Sequence, residues 1–256
     1  MLLYYCHNNT NLMSFMKNNF TIGETAKILN VSLDTLRRWD KNKTLIATRT
    51  TDGGDRYYSR EAIESYLKNN LFEYGFRWAA AITGQELFEI FYCQNSSIFQ
   101  ARLSSMEREL SQLVFLKENY PLIVAITGEI GNNAFDHNIG NWPDVPGLFF
   151  GYNLKSKQIF LADRGQGILK TLKRVKPELS NDQDALTTAF TEILSGRSPE
   201  SRGNGLKYVT RIIKMIPLKL LFQSGQAVIN IDSVNSDIKP KIAEKKIPGC
   251  LALIKF

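Results

Sequence analysis

The sequence lacks the features of a membrane protein, a secreted disulfide-bonded protein and a zinc protein. Its 256 residues contain no apolar run near the roughly 18 residues that span a membrane. The apolar opening turns Asn-rich too soon for a signal peptide. Three scattered cysteines, Cys6, Cys93 and Cys250, form no Cys-x-x-Cys pair, which argues against a disulfide framework or a zinc site. We therefore expect reduced thiols, a cytoplasmic location and no membrane partner.

The overall composition is that of an ordinary globular protein with a basic surface. Hydrophobic residues make up 43% of the chain and charged residues 22%, so a packed core is expected. The formal net charge is +7 and the sequence pI is about 9.2. A basic surface favours anionic partners such as nucleic acid or a nucleotide, without choosing between them.

The hydrophobic pattern divides the chain into four segments. Residues 1–18 have no sustained periodicity and are expected to form a flexible leader. Residues 19–69 predict a small module of helices and a hairpin. Residues 70–118 predict a helical connector that could also provide a dimerisation element. Residues 119–256 predict an α/β sandwich with helices on one face of a mixed sheet, so the fold class is α+β.

Individual elements of the larger segment follow from the same patterns. Helices are predicted over 122–137, 184–194 and 205–215, and strands over 148–153, 158–162, 218–223, 227–232 and 250–255.

The small module begins with signals for two helices joined by a tight turn. Thr21 and Glu24 fit a capping box, Asn30 can end the first helix, and Ser32 can cap the second. Three apolar residues of the second helix are expected to face inward, Leu33, Leu36 and Trp39. Three others lie on or near its outward side and could reach DNA in a major groove, Thr35, Arg37 and Arg38.

A hairpin follows the second helix. The turn signal Asp52-Gly53-Gly54 separates two extended segments that carry Arg49 and Arg56. TIGETAKILNVSLDTLRRWDKNKTL followed by DGGDRYYSREAI resembles the winged helix-turn-helix of the MerR and excisionase type. In that family the second helix reads the major groove and the wing touches the DNA backbone. The resemblance implies double-stranded DNA as partner and contacts from Thr35, Arg37, Arg38, Arg49, Arg56 and Tyr57. A solvated face or a protein contact stays open as an alternative.

Three short motifs in the second half could hold a nucleotide. Glu129 and Asn133 are spaced i,i+4 on a predicted helix, so a carboxylate and an amide project from one face. An Asn oxygen suits Mg²⁺, and the glutamate could orient or deprotonate a water or hydroxyl. Taken alone, this spacing is common on exposed helix faces.

The other two motifs are rich in glycine. Asp163-Arg164-Gly165-Gln166-Gly167 follows a predicted strand, where a carboxylate can accept a hydrogen bond from an adenine amine. Arg202-Gly203-Asn204-Gly205-Leu206 precedes a predicted helix whose free amides can hold phosphate. The chain contains no G-x-x-x-x-G-K-[ST] P-loop.

EIGNNAFDH, DRGQGI and RGNGL, in this order, resemble the N, G1 and G2 boxes of the GHKL superfamily, which has the Bergerat ATP-binding fold. The resemblance implies ATP or ADP and Mg²⁺ as ligands. It implies that Glu129 is the catalytic glutamate, Asn133 the Mg²⁺ ligand and Asp163 the adenine contact. Further nucleotide contacts are implied at Gly165, Gly167, Arg197, Arg202, Gly203, Gly205 and Leu206, with residues 195–201 as a lid.

Two functions remain open on the sequence. The preferred one is a DNA-binding regulator, expected to be a homo-oligomer, in which a nucleotide sensor or slow Mg²⁺-dependent ATPase modulates the MerR-like module. The alternative is a serine/threonine kinase resembling anti-sigma-factor kinases, in which Glu129 acts as base toward a protein partner's hydroxyl. Histidine autophosphorylation is not expected, because the two histidines are His7 in the leader and His137 inside the first box. A mechanical ATPase is not expected either, because little chain follows the boxes.

Overall fold

The computed structural model describes residues 17–49, 51, 53–85, 87–192, 205–234 and 237–256. The polypeptide divides into two units. The first unit comprises the chain up to Asn70 together with Phe88–Ile90, and the second unit comprises Leu71–Leu87 and Phe91–Phe256.

The first unit consists of three short helices and a three-stranded antiparallel sheet of order β1-β3-β2. The elements in chain order are β1 (Asn19–Thr21), α1 (Ile22–Leu29), α2 (Leu33–Lys41), β2 (Thr48–Arg49), β3 (Arg56–Ser59) and α3 (Arg60–Asn69).

Local capping sets the helix boundaries of this unit. The Thr21–Glu24 capping box is present, which confirms the prediction. Asn30 ends α1 in the left-handed conformation with φ of 51°. The Ser32 hydroxyl accepts a hydrogen bond from the Thr35 amide at 3.1 Å and starts α2. Two short helices at a tight turn are therefore confirmed.

One prediction for α2 is wrong. Leu33 was expected to face inward, but 42% of it is exposed, whereas Leu36 is fully buried. Leu33 is the first helical residue and follows the exposed cap Ser32, so it lies at the end of the buried stripe.

The second unit contains the remaining elements. They are α4 (Leu71–Ala79), β4 (Tyr92–Cys93), α5 (Ser96–Ser111), α6 (Tyr120–Asn138), β5 (Leu148–Asn153), β6 (Gln158–Asp163), α7 (Gly167–Leu172), α8 (Asp182–Thr191), α9 (Gly205–Met215), β7 (Lys219–Ser224), β8 (Ala227–Asp232), β9 (Lys241–Ile242) and β10 (Cys250–Lys255). Short 3-10 turns span Glu89–Phe91 and Val114–Leu116.

Most of the element predictions are confirmed. The predicted helix over 205–215 and the predicted strands over 148–153, 227–232 and 250–255 have the observed bounds. The other bounds differ by one or two residues, except at the end of α8, which stops at Thr191 instead of 194. No helix among the described residues is long and apolar enough to cross a membrane.

The seven strands have the order β4-β5-β6-β10-β7-β8-β9, and every described pairing is antiparallel. The prediction of a mixed sheet is therefore wrong. Tight turns join β5 to β6 and β7 to β8, which forces antiparallel pairing. β10 then returns between β6 and β7 and runs antiparallel to both.

Helices cover both faces of the sheet, which corrects the prediction of helices on one face. The main core lies between the sheet and α5, α6, α8 and α9. On the opposite face α4 places Tyr74 and Trp78 against Phe149 of β5, with ring centroids 5.7 and 6.0 Å apart. The reason is that neighbouring residues of β5, such as Phe149 and Phe150, are both buried. The two helices within the predicted connector, α4 and α5, thus belong to the second unit.

Candidate functional site

The outward side of α2 carries the arginines expected to reach DNA. The Arg37 side chain is 54% exposed and pairs with Asp34 at 2.7 Å, and Arg38 is also exposed. An exposed pair of this kind contributes little to stability, so Arg37 stays available to a partner. Thr35 is half-buried, and its hydroxyl lies 3.0 Å from the Ser32 hydroxyl. Thr35 therefore belongs to the cap of α2 as well as to its outward side.

Asp40 connects the end of α2 to the wing, which is the hairpin of β2 and β3. Its carboxylate pairs with Arg49 and also accepts a hydrogen bond from Arg56 Nε at 2.9 Å. The Ala47 amide donates to the other carboxylate oxygen at 3.0 Å. Burial alone would raise the pKa of Asp40, but the Ala47 amide and the two guanidinium groups outweigh it, and the pKa lies below its ordinary value. Both wing arginines therefore hold the wing in place while remaining partly exposed.

The hairpin brings its two tyrosines to different environments. Tyr57 is half-buried and lies opposite Thr48 on the neighbouring strand. Tyr58 is fully buried, and its hydroxyl donates to the Leu36 carbonyl at 3.3 Å. Gly53 at the turn has φ of 79°, a conformation that favours glycine. Asp52 of the predicted turn lies outside the described residues.

The helix α6 presents the first candidate nucleotide motif. Glu129 and Asn133 are both half-buried on α6, one turn apart. Neither side chain hydrogen-bonds to another residue within the described part of the chain. By contrast, the neighbouring Asn132 accepts a hydrogen bond from Gln100 of α5 at 2.7 Å. Glu129 and Asn133 thus keep their oxygen atoms available for a ligand.

The start of α9 lies directly against Glu129. A Cβ atom added to Gly205 would come within 1.8 Å of Glu129 Oε1, so a larger residue at this position would require the Glu129 side chain to move. Leu206 is half-buried and packs against the main core. The other predicted residues of this motif and its lid, Arg197, Arg202 and Gly203, lie outside the described residues.

Asp163 ends β6 in a buried position. It is 5% exposed, and its Oδ1 accepts a hydrogen bond from the Gly165 amide at 2.8 Å. Burial raises the pKa of Asp163 to about 7, although the amides of Gly165 and Cys250 act in the opposite direction. The backbone at Gly249 is so close that an added Cβ would lie 2.4 Å from Asp163 Oδ1. A side chain at position 249 would therefore clash with Asp163.

The glycine loop, residues 164–167, contacts the last turn of α6. A Cβ at Gly165 would lie 2.1 Å from Asn138 Nδ2. Asn138 Oδ1 accepts a hydrogen bond from the Gln166 amide at 2.8 Å, and its Nδ2 donates to the Ala134 carbonyl at 2.8 Å. Gly167 then begins α7 with φ of 73°. The loop and α9 therefore meet the same helix, α6, at Asn138 and Glu129.

Sequence analysis assigned no role to Asn138, Ser224 or Arg164. The Ser224 hydroxyl accepts a hydrogen bond from the Ile168 amide at 2.9 Å and fixes the start of α7. Asn138 follows the first motif directly, which is the one available signal for it. No sequence signal points to the roles of Ser224 and Arg164, because their hydrogen-bond partners lie far away in the sequence.

Arg164 is a buried structural cation inside the second motif. It is 1% exposed, and its NH1 donates to the carbonyls of Trp78, Ala79 and Ala81 at 2.9, 3.1 and 2.9 Å. Its NH2 pairs with Asp144 at 2.6 Å. Arg164 thus caps the end of α4 and links the glycine loop to the opposite face of the sheet.

The side-chain oxygens of Glu129, Asn133 and Asp163 indicate which kind of ligand the second unit could bind. A carboxylate and an amide oxygen on α6 are hard ligands of the kind that Mg²⁺ prefers beside substrate phosphates. No cluster of three or more His, Cys, Asp or Glu side chains that could hold a metal ion occurs among the described residues, so at these two oxygens water or substrate phosphates would have to complete the coordination of Mg²⁺. The oxygen ligands of α6 and the buried carboxyl of Asp163 therefore fit a nucleotide with a divalent cation better than a protein-only metal site.

Comparison with a family model gives information about the first unit. The family model described as "MerR family regulatory protein" matches residues 21–58. The chain is also similar to the Type II methyltransferase M.Eco47II of Escherichia coli, with 36% identity over 55 residues. That similarity covers 22% of this chain and 13% of the methyltransferase. Residues 21–58 therefore form a MerR-family helix-turn-helix domain.

Proposed function

We propose that this protein is a DNA-binding regulator whose second unit binds ATP with Mg²⁺ and thereby modulates DNA binding. The observation that carries the DNA-binding part is the exposed arginine pair on the second helix of a MerR-family domain. Arginine side chains on such a helix can reach guanine edges or phosphates. The clamp at Asp40 holds the wing beside this helix, which reduces the ordering that binding requires.

The nucleotide-binding part of the proposal depends on α6 and the loop after β6. Asp163 would hold the adenine amine, because its carboxyl is buried against glycine backbone. Asn133 and Glu129 would hold Mg²⁺ and position a water, because both side chains are half-buried without a described hydrogen-bond partner. When bound, ATP supplies a triphosphate charge and a phosphoanhydride bond that water can cleave. Gly205 lets the start of α9 approach this face of α6.

The DNA-binding part is tested by fluorescence anisotropy with a labelled duplex of mixed sequence. The variant Arg37→Ala/Arg38→Ala should lose affinity and up to about 1.8 in the slope of log K against log salt, since each lost phosphate contact contributes about 0.9. The control Lys27→Ala/Lys68→Ala removes the same charge from exposed positions of α1 and α3 and should change affinity much less. Equal losses in both variants would contradict a specific role for α2.

The nucleotide-binding part is tested by calorimetric titration with a non-hydrolysable ATP analogue and Mg²⁺. Asp163→Ala should abolish binding, whereas Asn133→Ala should remove the dependence of binding on Mg²⁺. The surface change Asp237→Ala serves as the control and should leave binding unchanged. Absence of binding by the unmodified protein would overturn this part of the proposal.

If the unmodified protein binds and hydrolyses ATP, Glu129→Ala should reduce turnover far more than affinity. A residue that positions or deprotonates the attacking group acts mainly in the chemical step. Transfer of phosphate to a protein hydroxyl instead of water would favour the kinase alternative.

A further inference from the structure

The basic charge of the protein is not confined to the helix-turn-helix domain. In the first unit Lys and Arg outnumber Asp and Glu by 10 to 8, and in the second unit by 22 to 17. Long-range attraction to a polyanion therefore arises mainly from the second unit.

The densest group of cations in the second unit follows the glycine loop. Residues 170–176, here called the basic turn, contain four cations and no acidic residue, namely Lys170, Lys173, Arg174 and Lys176. The Lys173 amide donates to the Leu169 carbonyl at 3.0 Å and the Lys176 amide to the Leu172 carbonyl at 2.8 Å. Helical bonding thus continues past the end of α7, which places Lys170, Lys173 and Arg174 side by side.

Most of this charge is not neutralised by the protein. Lys176 pairs with Glu192 at 2.7 Å, and Arg174 donates to the neutral Gln166 side chain at 2.9 Å. Lys170 and Lys173 are exposed and have no acidic partner among the residues that the structure describes. Like charges at these spacings repel one another, and the helix dipole offsets the repulsion only in part. A polyanion lying across the turn would remove the repulsion.

We propose that the basic turn binds the phosphate backbone of duplex DNA. This proposal rests on the proposed DNA-binding function and adds a second contact to that of α2. Exposed lysines act as mobile point charges, which suit phosphates along a backbone and carry no base specificity. A nucleotide is a poorer match, because Lys170 and Lys173 are exposed to solvent, whereas the proposed adenine contact Asp163 is buried.

The test compares two variants of the full chain that lose the same charge. Lys170→Ala/Lys173→Ala removes the unpaired lysines, and Lys245→Ala/Lys246→Ala removes two exposed lysines elsewhere in the second unit. The binding constant for a labelled duplex of mixed sequence is measured over a series of salt concentrations. Each phosphate contact contributes about 0.9 to the slope of log K against log salt, so the first variant should lose up to about 1.8 in slope. The second variant should keep the slope of the unmodified protein.

Several outcomes would overturn the proposal. Equal slopes for Lys170→Ala/Lys173→Ala and the unmodified protein would do so while leaving DNA binding by α2 intact. Weakened binding of an ATP analogue with unchanged DNA binding would assign the turn to the nucleotide instead. Absence of DNA binding by the unmodified protein would remove the proposed function as well. Lys170→Gln/Lys173→Gln, which preserves side-chain bulk, should reproduce the change in slope and guards against an effect of altered folding.

Discussion

The arginines on the surface of α2 in the first unit and the charged residues at the end of β6 in the second unit are held in opposite ways. In the first unit Arg37 and Arg38 lie on the surface of α2, where solvent screens their interactions. In the second unit Asp163, the last residue of β6, and Arg164, which follows it, are buried, and each has backbone partners. Surface charges of the first kind can be lost without unfolding the protein, whereas charges of the second kind are part of the structure. Substitutions should therefore separate binding from stability at Arg37 and Arg38 but not at Arg164 and Asp163.

The largest expected effect is the loss of stability on removing Arg164. Arg164→Ala leaves three carbonyls without this donor and Asp144 without its ion-pair partner, which should lower the free energy of unfolding by about 3–5 kcal/mol. Denaturant unfolding followed by tryptophan fluorescence measures it. A Trp39→Phe background restricts the emission to Trp78 and Trp142 of the second unit.

The matched control in that experiment is Lys173→Ala, an exposed cation of the same unit. Its effect should stay within about 0.5 kcal/mol. Equally small changes in the free energy of unfolding for Arg164→Ala and Lys173→Ala would contradict a stabilising role for the buried Arg164.

The next largest expected effect is the dependence of stability on pH that Asp163 causes. Its pKa of about 7 in the folded protein exceeds the unfolded value of 3.8, so the folded state holds a proton that the unfolded state releases. The stabilisation is complete below pH 4 and is lost as the pH rises through about 7. The full difference amounts to about 4 kcal/mol at most. Asp163→Asn should flatten the pH dependence of unfolding of the second unit between pH 4 and 8.

Glu178→Gln, an exposed change in the same unit, should leave the pH profile unaltered. A profile for Asp163→Asn that matches that of the unmodified protein would show that Asp163 is not buried as a neutral acid.

Asp40 is a charged residue of the first unit that is largely buried, unlike Arg37 and Arg38. The clamp is partly buried, so Asp40→Asn should lower the free energy of unfolding of this unit by about 1–3 kcal/mol. It should also weaken DNA binding, because both wing arginines lose their anchor. Replacing Asp34, whose side chain is 87% exposed, should change neither quantity appreciably. Similar stability losses for Asp40→Asn and Asp34→Asn would contradict the clamp.

The smallest effect concerns the cap of α2. Ser32→Ala removes the acceptor for the Thr35 amide and should cost about 1 kcal/mol of stability. Ser32→Asp should restore most of it, since aspartate is an equally good cap. Thermal unfolding of the two variants, followed by circular dichroism, measures the difference. Equal midpoints for alanine and aspartate would mean that the cap does not set the start of α2.

The same contrast explains what the sequence could predict. In the first unit the capping box, Asn30 and Ser32 act within a few residues, so their roles are readable directly. In the second unit the strands were recognisable from their apolar runs, but the antiparallel sheet depends on the return of β10 between β6 and β7. That pairing joins residues about ninety positions apart. No local pattern encodes it.

The candidate nucleotide site divides in the same way. Glu129, Asn133 and Asp163 could be selected from their chemistry and spacing. Asn138 and Arg164 could not be given roles, because their hydrogen-bond partners are close in space but distant in the sequence. Whether the selected residues bind a nucleotide stays a prediction.

The central claim is that a nucleotide bound in the second unit modulates DNA binding by the first unit. It is tested most directly by titrating a labelled duplex with the protein at fixed salt, without nucleotide, with ADP and Mg²⁺, and with a non-hydrolysable ATP analogue and Mg²⁺. The account predicts that the analogue shifts the DNA isotherm and that Asp163→Ala abolishes the shift. Identical isotherms in all three conditions, with the analogue shown by calorimetry to be bound, would contradict it.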